Sequence, residues 1–313
     1  MNFLYKAALQ RILSHLPYGV EINERLRRKT LLSRTPLSTI SECLRQVQIL
    51  NKHGIYVEGK NLLEIGTGWK PIFPLCYLLL GAEKVITVDL NRYLTKEYLR
   101  LALEDVLFHL PQIRNDVMIR NLNIELFDQN IERIRDIYTD DQDFDKTIEK
   151  LGIQYIAPGD ARSLKLADSS IDIYESRAVM EHVAEDTIDS IYHEAYRLLK
   201  PSHGCMIQDI DISDHWSYFD KKITRINFLQ YNGIFWKLIN SPIAYQNRFR
   251  QCHHLETIQN ANFTIGEVIP KKNKLSGDFI DEFRKKIDPA YSNLPDFEFQ
   301  VAEFTVLARV NKN

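Results

Sequence analysis

Glu64-Ile65-Gly66-Thr67-Gly68-Trp69 places an acid and two glycines directly after the short apolar segment 61–65. Two glycines let a backbone turn tightly and approach a ligand with no Cβ in the way. The next apolar segment, 85–88, runs into Asp89, 21 residues after Gly68. An acid at that spacing in a strand–helix–strand unit accepts hydrogen bonds from the two hydroxyls of a ribose. The third glycine of a dinucleotide fingerprint is absent and Pro71 stands in its place. That loss removes the close helix–strand packing around a pyrophosphate.

A second set of residues could move protons. His182 and His215 each follow an apolar strand candidate, and imidazole accepts a proton near neutral pH. Asp209, Asp211 and Asp214 precede His215 and invite a metal reading, because hard divalent ions take carboxylate oxygens. No metal site is expected from these carboxylates. Downstream, Trp216, Tyr218, Phe219, Phe228, Tyr231, Phe235, Trp236 and Tyr245 crowd one segment. Such rings either pack helices together or wall a pocket for a ring or a sugar face. Arg248 and Arg250, followed by His253 and His254, either hold an acidic acceptor or line a solvated helix face.

The elements that position these groups follow from periodicity. Residues 2–50 carry helical spacing, punctuated by Pro17 and Gly19, with a second helix over about 38–53 behind Ser38. Strands are expected at 61–65, 85–88, 154–156, 171–174, 205–210, 263–269 and 304–310. Helices are expected at 74–80, 94–110 and 188–199, with a mostly helical charged stretch over 111–150 that breaks near 139–141. Strands alternating with helices imply an α/β protein with a mostly parallel, doubly wound sheet.

Composition narrows the field. Lys and Arg total 40 against 42 Asp and Glu, a net charge of −2, which lacks the basic excess that nucleic acid or anionic lipid demands. The four cysteines, Cys43, Cys76, Cys205 and Cys252, form no CxxC pair, so neither zinc nor a disulfide framework is expected and a reducing, cytoplasmic setting is. The longest apolar run, 71–82, is shorter than the ~20 residues needed to span a bilayer.

The order acid-x-Gly-x-Gly, strand, acid resembles the first two motifs of class I S-adenosylmethionine-dependent methyltransferases. Gly159-Asp160-Ala161-Arg162 resembles that family's adenine-contacting loop. Residues 172–183, ending Glu181-His182-Val183, resemble its fourth strand and following loop, and Arg197-Leu198-Leu199-Lys200-Pro201 resembles the turn before strand five, although Ser202-His203 departs from the usual spacing. The resemblance implies a Rossmann-like seven-stranded sheet of order 3-2-1-4-5-7-6, with strand 7 antiparallel, over residues 57–313. Residues 1–56 would form an N-terminal helical cap, and 111–150 and 212–262 would be helical insertions, the latter covering cofactor and acceptor.

The resemblance also implies S-adenosyl-L-methionine as cofactor and S-adenosyl-L-homocysteine as product. Glu64 would support the glycine loop or the methionine amino group, Gly66, Thr67 and Gly68 would give backbone approach, and Asp89 with Leu90 would hold the ribose side. Asp160 and Ala161 would frame adenine, and Ser176 would contact the methionine moiety. Lys70 would either meet the methionine carboxylate or lie in solvent. His182 and His215 would serve an acceptor, with Trp216, Tyr218, Tyr231, Trp236 and Arg248 binding it. Residues 175–178 read Glu-Ser-Arg-Ala, without the Pro-Pro-aromatic motif of base methylation and without the paired-glutamate loop of arginine methylation. The expected activity is O-methylation of a small molecule, sugar or natural-product peptide, with no nucleic acid partner and no integral membrane span. A nicotinamide-dependent oxidoreductase and a non-catalytic methyltransferase-fold subunit are the alternatives.

Overall fold

Four strand ends stand level. In the computed structural model, which describes residues 3–19, 22, 25, 30–140 and 143–311, β1 (Asn61–Ile65), β2 (Lys84–Val88), β3 (Ile153–Ile156) and β4 (Ile173–Arg177) pair in parallel. The register sets Ile65 opposite both Val88 and Ser176, and Val88 opposite Ile156. The loops beginning at Gly66, Asp89, Ala157 and Arg177 therefore leave at one edge, where open parallel sheets bind ligands. With β5 (Cys205–Asp211), β6 (Phe263–Lys272) and β7 (Val301–Val310) the sheet has seven strands in the order 3-2-1-4-5-7-6, β7 antiparallel. The order is the one the motifs imply.

The helices explain themselves locally. α1 spans Phe3–Leu13, α2 Leu37–Lys52 and α3 Ile72–Leu79. All eight residues of α3 are buried, so the longest apolar run is an internal helix rather than a span. Among the described residues no helix is long and apolar enough to cross a membrane. α4 (Lys96–Phe108), α5 (Leu110–Ile119), α6 (Ile124–Thr139) and α7 (Phe144–Leu151) fill the stretch between β2 and β3. The side chains of Thr95, Asn123 and Asp143 accept the backbone N–H of Tyr98, Leu126 and Asp145 at the starts of α4, α6 and α7. The expected break at 139–141 falls between α6 and α7, with Asp141 outside the described residues. α8 (Glu185–Leu198) joins β4 to β5, and α9 (Gly233–Ile239), α10 (Gln251–Asn260), α11 (Gly277–Arg284) and α12 (Asp296–Gln300) complete the chain.

β4 lies two residues later than its apolar pattern suggests. Ile171 makes only an isolated bridge to Leu199, and Asp172 spends its carboxylate on Asn61 N–H and Lys200. Ladder pairing begins beyond that polar staple, so Glu175 and Ser176 become strand residues.

The chain forms two units that interleave in sequence: residues 30–176, 193–207 and 307–313 make one, and 1–29, 177–192 and 208–306 the other. The first has a core built around α2, α3, α4 and the strands β1 and β2. The second has its own core, in which Phe3 and Ala7 of α1 meet Trp216, Phe228, Trp236 and Phe299. Residues 1–56, expected as one helical cap, are thus divided, α1 belonging to the second unit and α2 to the first. Residues 1–2, 20–21, 23–24 and 26–29 of that expected cap lie outside the described residues.

Candidate active site

In the first unit the loop after β1 turns through Gly66 and Gly68, at φ 93° and 62°. Both values lie in the left-handed region that only glycine occupies cheaply. Gly66 N–H donates to Val88 O at 2.8 Å, and Gly68 N–H donates to Asp89 Oδ2 at 2.9 Å. Asp89 Oδ1 accepts Asn91 N–H at 3.0 Å, and Gly159 N–H donates to Asp89 O at 2.8 Å. One aspartate therefore ties the glycine loop, the turn after β2 and the loop after β3 together. Each carboxylate oxygen retains a lone pair for a further donor.

Glu64 is buried beneath this loop, and its carboxylate accepts the Thr87 hydroxyl, which also meets the Thr67 hydroxyl. Burial pushes its carboxyl up to about 8, against the lowering influence of Thr87 and with help from the nearby charge of Asp89. Ser176, at the end of β4 and opposite Ile65, is fully buried with its hydroxyl unpartnered. Asp160 is exposed and pairs with Arg162 at 2.6 Å, which holds its carboxyl below the usual range. Ala161 is half-buried, while Leu90 is 70% exposed, an apolar face with nothing over it.

Lys70 departs from both expectations for it. Its ammonium is buried against Asp105 Oδ2 at 2.7 Å and donates to Ser33 O at 2.8 Å. The lysine fastens the segment before α2 and is not directed to a methionine carboxylate. Trp69, which the spacing argument did not single out, stacks on Tyr93 at 4.5 Å and so braces the glycine loop.

In the second unit, sequence-distant residues meet. Ala178 follows β4 at φ 53°, its N–H donating to Asp209 O at 2.9 Å, and a short 3-10 turn then carries Met180–His182. His182 Nδ1 lies 2.7 Å from Tyr245 O. A carbonyl only accepts, so Nδ1 carries the hydrogen and Nε2 keeps its lone pair. The His215 ring centroid is 5.1 Å from that of His182, and Tyr218 stacks on His215 at 5.3 Å. Asp211 Oδ2 lies 3.4 Å from His215 Nε2 and accepts the Tyr218 hydroxyl, while Oδ1 accepts Ser213 N–H and O–H. Burial alone would raise Asp211, but His215, Ser213 and Tyr218 outweigh it and bring the carboxyl to about 2. Asp214, whose carboxylate accepts Trp216 N–H, is raised to about 6 by burial.

The three residues Tyr245, Gln246 and Asn247 hold both histidine loops. Gln246 donates to Ser213 O and accepts His215 N–H, and Asn247 donates to Met180 O and Val183 O. No spacing rule marks these positions; Asp211 was weighed only as part of an acidic cluster, and Glu181 was not singled out for the site. The only sequence signal was that Glu181 precedes His182 and Asp211 sits four before His215.

The expected acceptor residues divide. Tyr218 is 42% exposed, and Tyr231 is half-buried with its hydroxyl on Asn227. Trp216 and Trp236 are core residues. Arg248 is a correction: its guanidinium is buried, donates to Phe228 O and Tyr231 O, and lies over the rings of Trp236 and Tyr291. Those bonds shape the aromatic segment and leave the charge facing its own chain. Arg250 is fully buried and donates to Ile212 O, Glu298 O and Val301 O, and His254 is fully buried and lowered to about 3. Neither lines a solvated face. Asp209 takes the Thr305 hydroxyl, so the Asp209–Asp211–Asp214 cluster has three separate engagements.

The fold and the level strand ends define a class: a Rossmann-like methyltransferase fold with its glycine loop at the carboxyl edge. Residues 117–207 match the family model of the methyltransferase domain. Over that stretch, and in its acid-x-Gly-x-Gly loop and sheet order, the chain is similar to class I S-adenosylmethionine-dependent methyltransferases. Among solved structures, an S-adenosylmethionine-dependent methyltransferase from Mesorhizobium loti is 13% identical, covering 83% of this chain and 95% of its own, with TM-score 0.42. The Haemonchus contortus phosphoethanolamine N-methyltransferase 2 is 14% identical, covering 86% and 53%, TM-score 0.46. The Streptomyces coelicolor geranyl diphosphate C-methyltransferase is 9% identical, covering 85% and 77%, TM-score 0.43. These overlaps are too loose to speak for the acceptor. No curated protein sequence matches the chain.

The residues present fit the cofactor. The unpartnered Ser176 hydroxyl and the positive-φ glycine loop, with no atom within 4 Å of a Cβ built on Gly68, leave polar, open backbone at the edge. Asp89 would hold the ribose, Asp160 and Ala161 the adenine, and Glu64 and Ser176 the methionine end. When bound, the sulfonium supplies a methyl group already activated for displacement.

Proposed function

We propose that the enzyme methylates a hydroxyl oxygen of a small molecule, a sugar or a natural-product peptide by in-line transfer, with His182 and His215 relieving the acceptor of its proton. The observation that carries this reading is the bond from His182 Nδ1 to Tyr245 O, which leaves Nε2 as a proton acceptor 5.1 Å (ring to ring) from a second histidine. A sulfonium needs no acid to activate it, so the work left for side chains is alignment and proton removal. An alcohol needs that base and a carboxylate does not. Asp211 Oδ2 lies 3.4 Å from His215 Nε2 and helps fix where that ring sits.

Tyr218 supplies exposed ring surface for the acceptor, and half-buried Tyr231 a smaller share. The near-neutral charge agrees with an uncharged or small acceptor rather than nucleic acid. The four cysteines are free, which suits a cytoplasmic, reducing setting.

A screen of alcohols, phenols, sugars and short hydroxyl-bearing peptides, read by transfer of labelled methyl from S-adenosylmethionine, tests the proposal. Label on an acceptor oxygen supports it. Label found on nitrogen or carbon of the preferred acceptor overturns it.

A further inference from the structure

We propose that Glu181, His182 and His215 form a binding site for one divalent transition-metal ion, where the sequence alone led to the expectation of none. Their ligand atoms lie within 4.8 Å of one another. All three belong to the same unit of the chain.

The second observation is Glu181 itself. Its side chain is 0% exposed, and both carboxylate oxygens are buried without a hydrogen-bond partner. A carboxylate in such a place costs several kcal/mol of lost solvation in any protein unless a charge or a donor meets it. The backbone around it is fully engaged: Asn247 N–H donates to Glu181 O at 2.7 Å, and the Asn247 amide holds Met180 O and Val183 O. The loop thus holds this carboxyl in place, and a cation would meet it more closely than the backbone N–H groups of Glu181 and Asp211 and the charge of Arg177 do.

The histidines are prepared in the manner of metal ligands. An imidazole that ligates usually gives its other N–H to a carbonyl or a carboxylate, which fixes the tautomer. His182 has Tyr245 O at 2.7 Å from Nδ1, leaving Nε2 free of hydrogen. His215 is prepared less far: its Nε2 is buried without a hydrogen-bond partner, 3.4 Å from Asp211 Oδ2, whose carboxylate the Tyr218 hydroxyl holds. Metal–nitrogen bonds are about 2.0–2.1 Å, so seating an ion draws the three groups inward by about 1 Å. His182 is exposed and has room for that movement.

Two imidazole nitrogens and one carboxylate oxygen, with no thiolate, suit Zn²⁺, Co²⁺, Mn²⁺ or Fe²⁺ better than Ca²⁺ or Mg²⁺. Three protein ligands leave a position open for a substrate oxygen. The chemical consequence rests on the proposed O-methylation, although the binding does not. An acceptor hydroxyl on the ion loses its proton to water more readily. Its oxygen lone pair forms the O–CH₃ bond as the C–S bond breaks, the bonding pair staying on sulfur to give the neutral thioether. The histidines would then act through the ion rather than by taking the proton themselves.

The test is direct binding. The protein is stripped with a chelator, dialysed, and titrated with Zn²⁺ by calorimetry and with Co²⁺ by its visible d–d absorption. One ion per chain is expected for the unaltered protein and for His203→Gln, a histidine elsewhere on the surface. Glu181→Gln and His215→Ala should weaken binding by at least about 100-fold, the upper end seen for mere outer partners. His182→Ala, at an exposed position, should do the same with circular dichroism unchanged, so loss of binding is separable from loss of fold. Absence of binding to the unaltered protein, or equal affinity in all three variants, overturns the site and leaves O-methylation standing. Binding lost in the variants, together with methyl found on nitrogen or carbon, keeps the site and overturns the reaction.

Discussion

The two units reach their chemistry by opposite routes. In the first, the groups that fit the cofactor come from the ends of adjacent parallel strands, and the register of Ile65, Val88, Ile156 and Ser176 brings them level with no further help. In the second, His182 and His215 hang from two loops, and the three residues 245–247 bind both loops in place. A site made by sheet register depends on short spacings, whereas a site made by stitching depends on hydrogen bonds between distant segments.

The contrast can be broken, most severely first. Replacing both His182 and His215 by alanine should lower kcat on the identified acceptor by two to four orders of magnitude, the usual worth of positioned proton transfer, with cofactor affinity kept. Full kcat in the double variant would dismiss the second unit as the chemical one. Asp89→Ala removes a carboxylate that holds the glycine loop and the turn after β2, and should weaken S-adenosylhomocysteine binding on the order of 100-fold, since charged hydrogen bonds contribute about 1.5–3 kcal/mol each. Calorimetry reads it, and unchanged affinity would detach Asp89 from the ribose.

Arg250→Met strands the carbonyls of Ile212, Glu298 and Val301, each now met by the guanidinium. A loss of about 3 kcal/mol in urea unfolding is expected, with Arg250→Lys only partly restoring it because an ammonium lacks the planar fork. A surface-like loss below about 0.5 kcal/mol would refute the role.

The last prediction concerns pH. Glu64 has a folded-state pKa raised from the ordinary 4.5 to about 8 by burial. Between those values the unfolded chain ionises while the folded one holds its proton, so this group's contribution is full below pH 4.5 and is lost as pH rises to about 8. Glu64→Gln should flatten that part of the stability profile in thermal unfolding without cofactor. An unchanged slope would mean that Glu64 is ionised in the folded protein.

Much of the first unit is legible in the sequence, because glycines at positive φ and an acid at a strand end are local requirements that leave local marks. The sheet order came from the family resemblance that those motifs carry, and the strands follow it. The shift of β4 by two residues was hidden, since the Asp172 carboxylate takes Asn61 N–H and Lys200, partners 111 and 28 positions away. Lys70 was misread likewise: its partner Asp105 sits 35 positions away. Arg248 and Arg250 look solvated by composition, yet each satisfies carbonyls that only the fold brings near. Glu181 left no mark beyond its neighbour His182, because burial is not a property of spacing.

The stitching by residues 245–247 also makes acceptor choice exchangeable. The anchors on Ser213, His215, Met180 and Val183, and Tyr218 stacked on His215, lie outside the stretch from Phe219 to Ile239, so that stretch resembles a cassette whose ends are held at fixed stations. Its rings can be swapped as a block, provided Arg248 still finds the carbonyls of residues 228 and 231, while the two histidines keep their places. For a protein engineer this marks where to cut: a transplanted cassette should alter which hydroxyl compounds are methylated and leave S-adenosylhomocysteine affinity as it was.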